Sequence, residues 1–315
     1  MIGRDPKLQV TEADDHFHPP TDNDPRWIET LWFPCFVPEQ GISISLRVQL
    51  NPNAKTWGGS FSAWRGDGDF LCGDRWQEAM PEQPDLTNLS MEKGLHIQCL
   101  EPLKRYKIEF QNNHCHLNIE FEAIMAPNPV DPEESPGMFL GHFEQPGRAT
   151  GTLTYGDTTL NINSYTVRDR SWGPREMPKD IRMGNAYGTG QCTGKATTKD
   201  TAFFTYIKTN EQGEEDIIGG YYLAQGQSAT IVAGQRRIKW QKDRIESVHL
   251  DFSDALDRQV SLVGKPLNKL TASPGNGVIA VMNLMEWHGA EVAVAGENHD
   301  IWSERAWAAS GKPLP

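Results

Sequence analysis

Residues 168–175 read Arg-Asp-Arg-Ser-Trp-Gly-Pro-Arg, which puts three guanidinium groups, a carboxylate, a hydroxyl and an indole into eight positions. Guanidinium groups pair with carboxylates and other oxyanions, and an indole can lie over positive charge. A strand-like run, residues 159–167, leads into the motif. On a strand, side chains two apart share a face. Tyr165, Val167 and Asp169 therefore fall on one face, and Arg168 and Arg170 on the other. Two states of Asp169 are open. Bonded to an arginine it is a structural anion with a lowered pKa. Against Tyr165 and Trp172 in a dry pocket it is a carboxyl able to give up a proton near neutrality. Pro174 after Gly173 suggests a sharp turn, suited to a loop at a barrel mouth.

Other groups with chemical potential are sparser. Aromatics between Trp27 and Trp76, among them Trp57 and Trp64, could line an apolar cavity, although most are expected in ordinary core. Tyr187, Tyr206, Tyr221 and Tyr222 are hydrogen-bonding candidates in the second half. His16 and His18 lie beside Asp14 and Asp15, in an arm whose composition reads as unordered. His114 and His116 fall on the polar side of their strand. His288, Glu291, Glu297 and His299 lack a compact ligand spacing, so no metal is expected. The run 188–195 misses the spacing of a phosphate loop, and Ala196 stands where a hydroxyl is needed. With no dinucleotide fingerprint and no nucleophile elbow, no cofactor is expected either. The acids of residues 297–305 are expected to pair with the arginines of the central motif.

The elements that must position these groups are mostly strands. In residues 42–50 the set Ile42, Ile44, Leu46, Val48, Leu50 alternates with Ser43, Ser45, Arg47, Gln49, and residues 114–123 repeat the pattern. A dozen such runs separated by turn signals predict an all-β sandwich or barrel fold. Helix is expected only over residues 85–94 and 301–309. The five prolines of residues 126–147 read as a linker, which places a domain boundary near residue 145, with units 1–145 and 146–315.

Acidic residues outnumber basic ones by 42 to 30 in the 315-residue chain, for a formal charge of −12. That balance argues against nucleic acid or an anionic membrane as partner. Five widely spaced cysteines predict reduced thiols, and with no apolar run of spanning length the expected setting is the cytoplasm.

The chain resembles the bacterial superfamily that contains carotenoid hydratase (hydroxyneurosporene synthase) and its lipocalin-like relatives. The likeness rests on Glu29-Thr-Leu-Trp-Phe33, on residues 94–103 with Arg105-Tyr106, on Glu144-Gln-Pro-Gly147 with Gly151, and on residues 165–175. It implies two consecutive lipocalin-like antiparallel β-barrels packed together around a cavity for an apolar ligand. Carried over by position, it makes Asp169 the acid and Trp172 the aromatic facing a cation. Arg170 and Ser171 depart from the hydratase pattern, and a cation beside the acid opposes carbocation chemistry.

The expected function is therefore a cofactor-independent lyase, hydratase or isomerase on an apolar terpenoid, steroid or aromatic molecule. Asp169 would transfer the proton, Tyr165 position it, and Trp172 stack on charge. Arg168, Arg170 and Arg175, with Trp57, Trp64 and Tyr187, would bind substrate. Two alternatives stand beside it: a carrier with a structural Arg–Asp network, and an arginine-based enzyme on a phenolate or carboxylate. A homodimer is also compatible with the sequence.

Overall fold

The computed structural model describes residues 2–309 except 4, 6–7, 133–137, 177–181, 193–198, 211, 243 and 276–277. Alternation becomes strand almost throughout. The first eleven strands are β1 (Trp27–Val37), β2 (Ile42–Asn51), β3 (Thr56–Arg65), β4 (Asp69–Ala79), β5 (Asn88–Ser90), β6 (Leu95–Glu101), β7 (Arg105–Gln111), β8 (Cys115–Ala123), β9 (Asn128–Pro129), β10 (Gly141–Tyr155) and β11 (Thr158–Pro174). They form one sheet in the order β4-β3-β2-β1-β11-β10-β8-β7-β6-β5, with β9 paired to β10. The sheet curls so that its two ends face each other across the core: Trp76 of β4 stacks on Phe110 of β7 at 5.1 Å and 9°. Leu31, Phe33, Ile44, Leu46, Ile108 and Leu117 are buried on this inner face.

The expected boundary near residue 145 is corrected. One compact unit comprises Lys7–Trp64 and Asp69–Glu176; the other comprises Met1–Pro6, Arg65–Gly68 and Met177–Pro315. The proline-rich stretch is not a linker throughout, because Pro146 lies inside β10 opposite Val167 and its carbonyl accepts from the Ile124 N–H. Nor does Gly173-Pro174 begin a loop; it ends β11, with Trp27 and Ile28 of β1 alongside. The helix expected over 85–94 is also absent. Asp85 caps a turn there, accepting from the Thr87 N–H and hydroxyl, and β5 follows.

The second unit holds β12 (Arg182–Gln191), β13 (Asp200–Thr209), β14 (Glu215–Ala224), β15 (Gln227–Gln241), β16 (Arg244–Asp254), β17 (Gln259–Pro266), β18 (Leu270–Gly275), β19 (Val278–His288) and β20 (Ala293–Ser303). Their order is β17-β16-β15-β14-β13-β12-β20-β19-β18, and β17 also pairs with β19, which closes an eight-stranded barrel. Phe203, Tyr222, Leu250, Phe252, Met285 and Trp287 fill it. Closure removes the exposed sheet edge that an open sheet would present. A short helix, α1 (Glu304–Ala309), ends the described chain within the second predicted helix. The architecture is all-β, as expected. All five cysteines are free thiols. Among the described residues, no helix is long and apolar enough to cross a membrane.

Candidate active site on strands 10 and 11

Strand β11 lies between β1 and β10, and its registers fix where each motif side chain goes. Asp169 is opposite Trp32 on one side and Glu144 on the other; Arg170 is opposite Leu31 and Phe143. Because cross-strand partners share a face, Asp169 and Arg170 point to opposite faces. The parity expected from sequence holds through this stretch without a bulge.

On the inner face each arginine is paired with a carboxylate. Arg168 Nη1 meets Asp15 Oδ1 at 3.0 Å, its Nε donates to Gln145 Oε1 at 2.6 Å, and its guanidinium lies 4.2 Å from the Tyr106 ring centre. Tyr106 donates its hydroxyl to Asp15, as does the Leu103 N–H. Burial alone would raise the Asp15 pKa; the Arg168 charge and these donors outweigh it and hold the carboxyl below its ordinary value. Arg170 Nη2 meets Glu29 Oε1 at 2.5 Å, and the other Glu29 oxygen accepts from the His18 N–H. His18 stacks on Trp172 at 3.7 Å and 3°. The arm expected to be unordered is thus pinned: a 3-10 turn (Glu12–Asp15) delivers Asp15 and His18 onto the sheet.

The outer face brings together a second set of titratable groups. His142 of β10 is opposite Ser171, and Glu144 is opposite Asp169. His142 Nδ1 lies 2.9 Å from the Arg170 carbonyl oxygen and 3.5 Å from Asp169 Oδ2; its Nε2 lies 3.3 Å from Glu144 Oε1. A carbonyl can only accept, so the Nδ1 position carries the proton, a tautomer fixed by its partner. Burial lowers the His142 pKa, helped by the Arg175 charge and opposed by Asp169 and the Arg170 carbonyl. Burial thus favours the neutral ring, whose Nε2 lone pair turns toward Glu144. Two acceptors facing each other at this distance need one proton between them. Asp169 is the most accessible of the three, at 18% exposure against 8% for His142 and 2% for Glu144. Arg175 completes the face, donating to Ser171 Oγ at 2.5 Å, while Ser171 and Thr30 share a 2.6 Å hydrogen bond.

His142, Glu144 and Asp169 each bring a ligand-type atom within 4.8 Å of the others. The three atoms lie close enough together to face one cation, and the same spacing would let them hand on a proton.

Several expected site residues lie elsewhere. Trp172 is on the inner face over Gly141, where a Cβ would come within 2.1 Å of its indole, so it cannot stack on charge beside Asp169. Tyr165 shares the Asp169 face, but four residues along a strand span about 13 Å, and its ring sits by Arg148. It does not complete a relay with Asp169. Arg168 and Arg170 are bound to carboxylates on the far face. Trp57 belongs to the first core, and Trp64 is buried on the other face of β3. Tyr187 lies in the second unit, donating its hydroxyl to Glu297 Oε2 at 2.9 Å. The acids of 297–305 do not reach the motif: Asp300 pairs at 2.5 Å with Arg236, which Glu215 also holds at 2.7 Å. Asp169 and Arg175 lie on the face that His142 and Glu144 share. His142 and Glu144 were missed, though His-x-Glu on a strand puts both on one face; the linker reading hid them.

A comparison with curated proteins finds no match. Among solved structures, the chain is similar to CghA, determined alone and with Sch210972. The form alone has a TM-score of 0.58 and 12% identity, with 89% of each chain covered. It is also similar to an AttH-type protein of Nitrosomonas europaea, with TM-score 0.57 and 10% identity over 90% of this chain and 94% of that one. Kievitone hydratase of Nectria haematococca gives a TM-score of 0.54 and 8% identity over 87% and 88%. At these identities the likeness establishes the fold. Family membership comes from the sequence itself, in which residues 11–307 match one family model. The chain belongs to the family described as Domain of unknown function (DUF7064).

Proposed function

We propose that this protein is a proton-transferring enzyme, a lyase, hydratase or isomerase on an apolar small molecule. Asp169 meets the substrate, and His142 and Glu144 supply and take up its proton. The observation that carries this reading is the single imidazole held between two carboxylates, 3.5 Å from Asp169 and 3.3 Å from Glu144. Once Asp169 has taken a proton from solvent and given it to substrate, the His142 Nδ1 proton passes to Asp169 and the proton between Glu144 and Nε2 moves onto the ring. The ring never gains or loses net charge, which suits a buried site. Return of a proton from product or water resets the chain in the opposite direction. The similar structures include one protein named a hydratase, consistent with this class of reaction.

The test is a panel of prenylated phenols, enones and terpenoid alkenes incubated with purified protein in ²H₂O and in H₂¹⁸O. Mass spectrometry reads proton exchange and hydration. Asp169→Asn and His142→Asn should each cut turnover by roughly 10²–10⁴, with unfolding midpoints close to wild type. An Asp169→Asn protein that melts early and still turns over would sink the assignment. Tight binding of panel members with no exchange or hydration would identify a carrier instead.

A further inference from the structure

Three of the described arginines are buried, and each has a carboxylate; Arg175 is half-buried. Arg168 is held by Asp15, Arg170 by Glu29, and Arg236 by Glu215 and Asp300. Arg175 differs. Among the described residues no carboxylate lies within 4.0 Å of it; its Nη2 reaches only the hydroxyls of Ser171 at 2.5 Å and Thr30 at 3.4 Å. Its Nε is shut off from solvent with no acceptor. The neighbourhood adds positive charge. Burial, then the charge of Arg47, push its pKa down to about 10 against the pull of Asp169. Arg47 stands in the same cross-strand row as Asp169, two strands over, with Trp32 between them.

A cation drawn partly out of water without a counter-ion is expensive, and folding the chain around one is favoured when a ligand supplies the missing charge. Guanidinium geometry suits a planar oxyanion, and the Nη1–Nη2 edge can present two donors to one. Phe139, 4.7 Å from the His142 ring and buried, adds an apolar surface on this face.

We infer that the substrate is an organic acid, an apolar body bearing an ionised oxygen that Arg175 binds beside the Asp169–His142–Glu144 chain. Carboxylate, phenolate and enolate share this chemistry. For an enolate-forming substrate the same contact would stabilise negative charge as Asp169 moves the proton. The inference rests on the proposed function only in taking this face as the active one.

The experiment compares 2-naphthoate with its neutral counterpart 2-naphthamide, reading binding by tryptophan fluorescence. Wild type is expected to favour the anion. Arg175→Gln should weaken naphthoate by roughly 10–100-fold, the cost of losing a charge-assisted pair, and leave naphthamide unchanged. Arg175→Lys should restore part of the loss, and Arg47→Gln, on an exposed side chain, gives a smaller loss of the same sign if Arg175→Gln fails to fold. Equal affinity for acid and amide, or naphthoate binding untouched by both Gln variants, overturns the inference. Asp169→Asn and His142→Asn proteins that keep the naphthoate preference but lack turnover support both readings. Proteins that keep it and lose no turnover contradict the relay alone.

Discussion

Asp169 sits between two arginines in sequence and touches neither side chain. Parity decides this, since one step along a strand reverses the face. The consequences differ sharply by residue. Asp15→Ala leaves Arg168 buried without its counter-ion and should cost about 3–5 kcal/mol in chemical denaturation; Asp169→Asn, on a part-exposed carboxyl, should cost under about 1 kcal/mol. The lowered Asp15 pKa adds a sign. Its stabilisation is present above the unfolded carboxylate value, and it fades as pH falls through the lower folded value. Acid unfolding of wild type should therefore be steeper than that of Asp15→Asn. The arginine faces were legible in eight residues of sequence. Their partners were not: Asp15 is 153 residues from Arg168 and Glu29 is 141 from Arg170, distances that only the folded register closes.

At the scale of elements, the site is two strands and the arm laid on their far side. β10 offers His142 and Glu144, β11 offers Asp169 and, just past its end, Arg175. Prolines concealed β10 from a reading by composition, because Pro normally marks linkers and edges. Alternation would have found it, as His142, Glu144 and Pro146 share one face while Phe143 and Gln145 share the other. Two glycines hold the motif end. Gly173 takes φ +127° with the Leu140 N–H only 2.5 Å from where a Cβ would stand, and Gly141 lies flat under Trp172. Gly141→Ala should push the indole off His18 and cost about 1–3 kcal/mol by overpacking. The check is a denaturation curve with the Trp172 contribution to near-ultraviolet circular dichroism. An unchanged midpoint and spectrum would mean the Trp172–His18 stack does not hold this end.

At the scale of the whole molecule, strand alternation and the scarcity of helix-period segments were enough to predict an all-β chain. Closure of the second barrel was not legible, since β17 pairs with β19 past the intervening β18. The second unit also holds a buried titrating group. Glu297 is 1% exposed, and burial raises its pKa to about 7 against the Tyr187 hydrogen bond. A raised carboxyl pKa means that the folded state keeps its proton longer than the unfolded state. Stability should thus fall as pH rises from about 4.5 to 7, by on the order of 3 kcal/mol. Glu297→Gln should flatten this slope in denaturation curves taken across that range. A wild-type slope shared by the Gln variant would place the titration elsewhere.

The central claim is that His142 relays a proton between two carboxylates, and its protonation state is directly measurable. Long-range ¹H–¹⁵N correlation spectra of labelled wild type, with His142→Asn to assign the ring, should show a neutral imidazole at pH 7 protonated on Nδ1. That ring should titrate below the ordinary histidine range, and Glu144→Gln should shift its Nε2 resonance. A ring protonated on Nε2 alone, or one that titrates normally and ignores Glu144→Gln, would contradict the relay.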